Sequence, residues 1–274
     1  MMAAPNFDNL LSLVLVHEGG FSSHPADPGG ATMNGVTQRV YTAWRKAQGK
    51  PDQSVRFISN ADLRAIYQQN YWDVVRGDEL PSGLDYLTFD GGVNSGPPRG
   101  ARWLQGALGV KPDGIVGIAT LQAAKTARDK VAVARKACEL RRSFLRGLKT
   151  FSTFGKGWMR RVAEVEAHSV ALALAAAGLS GAQAAEKLKD YSAQNDAKAK
   201  TEAAKAGGAG AGAAGTGTAT AQPDLSGLDP TGLIVLGLVA VILAVTAFVL
   251  WRNSRAEREV ARAYVAKAHE LAAS

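Results

Sequence analysis

Nineteen residues near one end of this chain, Leu233 to Trp251, are almost all Leu, Val, Ile, Ala and Phe, and no charge appears between Pro230 and Trp251. As a helix the run spans roughly 28 Å at ~1.5 Å per residue, close to the hydrocarbon thickness of a bilayer. A buried core helix seldom goes so far without a polar face. The 274-residue chain is therefore expected to carry a single C-terminal transmembrane helix, residues 230–251, with Trp251 and Arg252 at the interface and a short basic tail, 252–274. Ala240 and Ala244 supply the small-residue spacing for weak self-association of that helix.

Ahead of the span, residues 179–229 read as an Ala/Gly-rich linker. Gly207 to Ala221 has nothing to bury and is expected to be a flexible tether, while Ala182 to Lys205 favours a solvated, fraying helix with few large apolar anchors. The folded part should end near residue 180.

Within that part the apolar period is helical. Phe7, Leu10, Leu11, Val14 and Leu15 form one stripe that stops at Gly19-Gly20, and Thr37 to Lys46 forms a second helix closed by Gly49. Ser59-Asn60-Ala61-Asp62 is a capping box that opens a third helix bearing Leu63, Ile66, Tyr67 and Tyr71. Pro81-Ser82 starts a fourth, and a fifth follows Pro97-Pro98 and stops at Gly109. Lys111 to Gly114 is a turn, and long helical patterns cover Leu121 to Leu148 and Trp158 to Ala175. Strand signals are scarce, apart from a short hairpin within Gly30 to Thr37.

Composition narrows the chemistry. One cysteine, Cys138, excludes intrachain disulfides and Cys-rich zinc sites. The net charge of +8 is unevenly shared: residues 1–90 carry −3, residues 91–170 carry +10 and the remainder +1. A basic half suits a polyanionic surface, but no zinc finger, helix-turn-helix or aromatic RNA-binding signature accompanies it, so nucleic acid is not expected as a partner. The Lys and Arg residues from Arg128 to Lys149, Arg141 and Arg142 among them, read most simply as a solvated helix face.

The most informative stretch is His17-Glu18-Gly19-Gly20-Phe21, followed by His24 to Thr32 and Asn34-Gly35-Val36-Thr37. Glu18 lies at the carboxyl end of an apolar helix, where the macrodipole and partial burial both oppose negative charge, a setting suited to a general acid. The two glycines leave room for a bulky ligand, and the loop brings Asp27 back towards the carboxyl group. Locally, the pattern also fits a frayed helix end in solvent. His17, His24 and Asp27 match no metal-ligand spacing, so neither a metal nor another cofactor is expected.

These segments resemble the glycoside hydrolase family 108 N-acetylmuramidases. The matching residues are Glu18-Gly19-Gly20, Asp27-Pro28-Gly29-Gly30-Ala31-Thr32 and Gly35-Val36-Thr37-Gln38, then Tyr71-Trp72-Asp73, Arg76 to Pro81, Phe89-Asp90 and Val93 to Pro97. Trp103-Leu104-Gln105, Leu108-Gly109-Val110 and Asp113 to Gly117 look like the predicted peptidoglycan-binding segment that accompanies these enzymes, and the likeness covers roughly residues 6–165. The fold so implied is mostly α: a lysozyme-like helical catalytic region, 1–90, a helical peptidoglycan-binding region, 91–178, packed on it, then the flexible linker and the membrane helix.

The resemblance implies cleavage of the β-1,4 bond between N-acetylmuramic acid and N-acetylglucosamine, with Glu18 as proton donor. Asp27 and Thr32 are the residues expected to position an attacking water; Thr32 departs by one residue from the spacing of phage-type lysozymes. Asp73, Asp78 and Glu79 are alternative second carboxylates, and Tyr71, Trp72 and Asn94 are candidates for binding glycan. Peptidoglycan is the expected partner, together with a bacterial inner membrane reached through Leu233 to Trp251. Arg252, Arg255, Arg258, Arg262 and Lys267 follow the span, whereas residues 206–230 supply only Asp224 and Asp229, which favours a cytoplasmic tail with the catalytic half on the periplasmic side. Met1 to Leu15 lacks Lys and Arg and runs into His17-Glu18 with no small-residue cleavage pattern, so it is not expected to serve as an ordinary secretory signal. A lytic transglycosylase and an inactive, membrane-anchored wall-binding module are the alternatives to an endolysin-type muramidase.

Overall fold

The computed structural model of the chain describes residues 6–23, 30–213 and 230–273. They form two units, Met1–Gly178 and Leu179–Ser274. The first begins with α1 (Phe7–Leu15), whose buried residues Phe7, Leu10, Leu11 and Val14 are those of the apolar stripe. A two-stranded hairpin, β1 (Thr32–Met33) and β2 (Val36–Thr37), leads directly into α2 (Gln38–Ala47), where the Thr37 hydroxyl accepts from the Val40 N–H. In α3 (Asn60–Tyr67) the Ser59 hydroxyl caps the Asp62 N–H. The other half of the capping box is absent: the Asp62 carboxylate binds Lys50 and the Tyr41 hydroxyl instead. A π-helical turn, Gln68–Trp72, extends α3.

At the centre lies α4 (Leu84–Ser95), buried without interruption from Leu84 to Gly92. A helix enclosed on every side needs no polar face, so its amphipathic signal vanishes. The boundary expected at residues 90/91 falls inside this helix. Against it pack α5 (Pro97–Leu108), closed by Gly109 at φ 71°, α7 (Lys130–Arg146) and α8 (Phe151–Ala176), while α6 (Ile118–Thr126) packs on α5. The single helix expected from Leu121 to Leu148 is two, because the Asp129 carboxylate accepts the Ala132 N–H and starts a new helix there. The turn at Lys111–Gly114 is clamped by buried Gln105, which donates to Asp113 Oδ1 at 2.7 Å and accepts from the Gly114 N–H at 2.9 Å.

One buried carboxylate gives the first unit a pH signature. Asp85 Oδ1 accepts from the N–H groups of Gly83 and Tyr86, yet burial outweighs them and pushes its pKa up from 3.8 to about 7. Between those values the folded chain keeps a proton that the unfolded chain releases, so stability declines as pH rises from about 4 to about 7, by up to ~4 kcal/mol. Asp85→Asn, which keeps the accepting oxygen, should match wild type at pH ~4 and exceed it at pH ~8 in denaturant unfolding of the detergent-solubilised chain.

The second unit pairs α9 (Gly181–Ala213) with α10 (Pro230–Ala273). The segment expected as a solvated helix and tether is helical through Ala213, with Ala184, Ala185 and Leu188 buried against α10. Ala and Ser are small enough for two backbones to approach closely, so large apolar anchors are unnecessary. Residues 214–229, the remainder of the expected tether, lie outside the described residues. α10 continues unbroken through the expected tail and is long and apolar enough to cross a membrane, with Leu238, Val241, Ile242, Val245 and Phe248 exposed.

Candidate active site

α1 stops at Leu15, but the chain makes one more turn: the His17 N–H donates to the Val14 carbonyl and the Glu18 N–H to the Leu15 carbonyl. Glu18 thus leaves the carboxyl end of α1 with its side chain 17% exposed. The β-hairpin faces it. Its turn residues Asn34 and Gly35 both have positive φ, 48° and 77°, the type I′ geometry that Asn-Gly favours. The Tyr67 hydroxyl donates to the Asn34 carbonyl at 2.8 Å and holds the turn in place. A Cβ on Gly35 would lie 2.5 Å from the Tyr67 hydroxyl and 2.8 Å from Glu18 Oε2, so only glycine fits. Gly35→Ala should therefore displace the Glu18 carboxyl and lower peptidoglycan turnover by about 10- to 100-fold, which steady-state rates would show.

The other oxygen of Glu18 is held from α8. Arg161 Nη1 donates to Glu18 Oε1 at 2.8 Å, while its Nε and Nη2 donate to Asp90 Oδ2 at 3.0 and 2.8 Å. Asp90, fully buried on α4, also accepts from Arg141 Nη1 of α7 at 2.6 Å. Burial alone would raise the Asp90 pKa, but Arg141 and Arg161 overcome it and hold the carboxyl below the usual carboxylate range. Two carboxylates and two guanidiniums from four helical segments thus form one chain ending at Glu18. The bare, partly buried carboxyl expected from the sequence is instead one member of an ion pair.

The surroundings of Glu18 are otherwise aromatic. Burial, then the Glu18 charge, pushes the phenols of Tyr67 and Tyr71 above their ordinary value, and the two rings stand 5.5 Å apart. Both stay neutral hydroxyls at working pH. His17 is half-buried, and burial lowers its pKa against the opposing pull of Asp90.

The remaining residues singled out by sequence fare differently. Thr32 sits on β1 opposite Thr37, its hydroxyl donating to the Gly30 carbonyl at 3.3 Å, on the hairpin whose turn meets Glu18. Asp27 lies outside the described residues. Tyr71 is half-exposed beside Glu18. Trp72 is not available to a sugar: it is 1% exposed, packed on Phe7 and Phe89, with its indole N–H donating to Asp78 Oδ1. Glu79 is paired with Arg76, so Asp78 and Glu79 both serve local structure. Asn94 Oδ1 accepts from Arg141 Nη2 at 3.2 Å and so belongs to the ion network.

Arg161, Arg141 and Asp90 are what sequence reading missed. Arg141 and Arg142, read as part of a solvated face, are both buried; Arg142 pairs with Glu166. The available signal was Asp90 itself, a carboxylate that follows Leu84, Leu87 and Phe89 on one apolar segment. Where such a buried group stays ionised, it demands a cation.

Comparison with known proteins agrees with this architecture. The family model described as Glycosyl hydrolase 108 matches residues 11–96, and the one described as Predicted Peptidoglycan domain matches residues 99–163. The break between them falls where α5 begins, after the end of α4. No curated protein matches the chain. The solved structure of SagA from Brucella abortus is 38% identical, covers 61% of this chain and 95% of its own, and superposes with a TM-score of 0.54. Since a relative this similar is spanned almost from end to end, the chain belongs to the glycosyl hydrolase 108 family, and its adjoining peptidoglycan domain makes it a glycoside hydrolase directed at peptidoglycan.

Proposed function

We propose that this chain is an N-acetylmuramidase that cleaves the β-1,4 bond between N-acetylmuramic acid and N-acetylglucosamine, with Glu18 as general acid. The observation that carries the reading is the division of labour between the two Glu18 oxygens. Oε1 is held by Arg161, whereas Oε2 faces the exposed Gly35. A protonated Oε2 would donate to the leaving oxygen, and the carboxylate left behind would be stabilised by the guanidinium already in contact with Oε1. Tyr71 is the nearby aromatic surface for a sugar, and Phe154 and Trp158, on α8 before Arg161, offer two more. Asp27 and Thr32 keep the role of positioning the attacking water. α10 anchors the enzyme in a bacterial inner membrane through its apolar half, and peptidoglycan is the substrate.

The test is product chemistry. Digestion of purified sacculi, borohydride reduction and mass spectrometry should reveal new reduced N-acetylmuramic ends. Products with 1,6-anhydromuramic ends would identify a lytic transglycosylase instead, and binding without new ends would identify a wall-binding module.

A further inference from the structure

The second unit bears on how the chain meets the membrane. α9 and α10 run antiparallel: the Ser192 hydroxyl donates to the Ala261 carbonyl at 3.0 Å, Lys198 Nζ pairs with Glu257 Oε1 at 2.8 Å, and the rings of Tyr191 and Tyr264 stand 5.8 Å apart. All three α10 partners follow the apolar run, and all three α9 partners precede it. The covered side of α10 is one seam, buried at Ser254, Glu257, Ala261 and Tyr264 and continuing as half-buried Leu250, Ala247 and Leu243 inside the apolar stretch. These positions alternate three and four residues apart, the period of two helices packed side by side.

The charges on the two helices end at a common level. In the register set by Ser192 and Ala261, Ala206 stands level with Ala247, so Lys205, the last charge on α9, lies within about one helical turn of Arg252, the first after the apolar run. From Ala206 to Pro223 the sequence is uncharged. α9 therefore loses its charges at the depth where α10 loses its own. A helix partner that descends beside an apolar helix must be uncharged from that depth on, and this one is.

We infer that α9 and the segment of α10 after the apolar run lie on the same face of the membrane, so that the N-terminal unit and the C-terminus share one compartment and the chain crosses the membrane twice, not once, between Lys205 and Arg252. The inference rests on the membrane reading given above and replaces the orientation favoured by the tail charges alone. Gly178, the end of the N-terminal unit, is followed within three residues by α9, which leaves no room for a crossing between them. Lys198, Lys200 and Lys205 on α9 join Arg252, Arg255 and Arg258 on α10 at this face, while Asp224 and Asp229 are the only charges between Ala206 and Trp251. By the positive-inside rule the shared face is cytoplasmic. The N-terminal unit then lies on the side of the membrane away from the wall.

Single-cysteine labelling of the full chain in bacterial membranes tests this. The native Cys138 is buried, with its thiol pushed up to about 12, so it stays silent. Ala177→Cys and Ala272→Cys place exposed thiols at the end of the first unit and near the C-terminus. With a membrane-impermeant maleimide, neither should label in intact spheroplasts and both should label after lysis. Labelling of one and not the other in intact cells would overturn the shared face; labelling of both would overturn the cytoplasmic assignment. In isolated membranes oxidised with copper–phenanthroline, paired cysteines at Ser192 and Ala261 should form an intrachain disulfide, and its absence would remove the packing on which the inference stands. Release of the chain by alkaline carbonate would overturn the membrane reading and this inference with it, while leaving the hydrolase reading intact.

Discussion

Glu18→Gln is expected to unfold at the same denaturant concentration as wild type, within about 1 kcal/mol, and to lose at least ~100-fold of its peptidoglycan hydrolysis. The amide keeps the shape of the carboxyl and still accepts from Arg161, whose position is fixed independently by Asp90. What disappears is the proton that Oε2 would deliver. An uncatalysed departure of the glycosidic oxygen as an alkoxide is too slow to sustain turnover, which is why general acids contribute ~10²–10⁴ to such reactions. Clearing of sacculi by the variant at wild-type rate would end the assignment of Glu18, whereas loss of the folded signal would show that Glu18 matters for structure.

The second large effect falls on stability. Asp90→Asn leaves Arg141, 2% exposed, and Arg161 with Glu18 as the one anion among the described residues still paired with either guanidinium. Removing one partner from a buried ion network typically costs ~3–5 kcal/mol, because the remaining charge can be neither solvated nor neutralised. Denaturant unfolding of the full chain in detergent should show that loss. Activity should fall as well, since Arg161 is then free to re-aim the carboxyl that it orients. Adding Arg141→Gln to the same chain should recover part of the stability, because the cation left without an anion is gone, without recovering activity. A loss below ~1 kcal/mol in the single variant would mean that water reaches this network and that Asp90 does not anchor Arg161.

The legible parts of this fold are those dictated by local chemistry. The α1 stripe, the helix beginning at Thr37, the stop at Gly109 and the hairpin within Gly30 to Thr37 each depend on residues a few positions apart, and each occurs where the sequence places it to within a residue or two. The setting of Glu18 is legible for the same reason: a helix end, two glycines and a hairpin follow one another within about twenty residues. Arg161 is not, because it joins Glu18 from 143 residues away and no local pattern marks it. Trp72 misleads in the opposite sense. An aromatic pair at the end of an amphipathic helix presents one ring outward and one inward, and the π-helical turn at Gln68–Trp72 decides which, putting Tyr71 beside Glu18 and Trp72 in the core. α9 escapes because most of its buried positions are small or polar, Ala184, Ala185, Ser192, Asn195 and Ala199 beside a single Leu188, residues that composition alone assigns to solvent. Its packing becomes visible only when α10 lies beside it.

The most direct measurement is a structure of the folded Glu18→Gln chain bound to a peptidoglycan glycan fragment that spans the scissile bond. The side-chain amide of that variant, standing in for the carboxylic acid, should lie within hydrogen-bonding reach of the bridging glycosidic oxygen, ~2.6–3.2 Å, on the side lined by Gly35 and Tyr71, with the Arg161 guanidinium still holding the other side-chain atom. A fragment bound elsewhere on the unit, or one whose glycosidic oxygen faces another acid while position 18 remains turned towards Arg161 alone, would contradict the account.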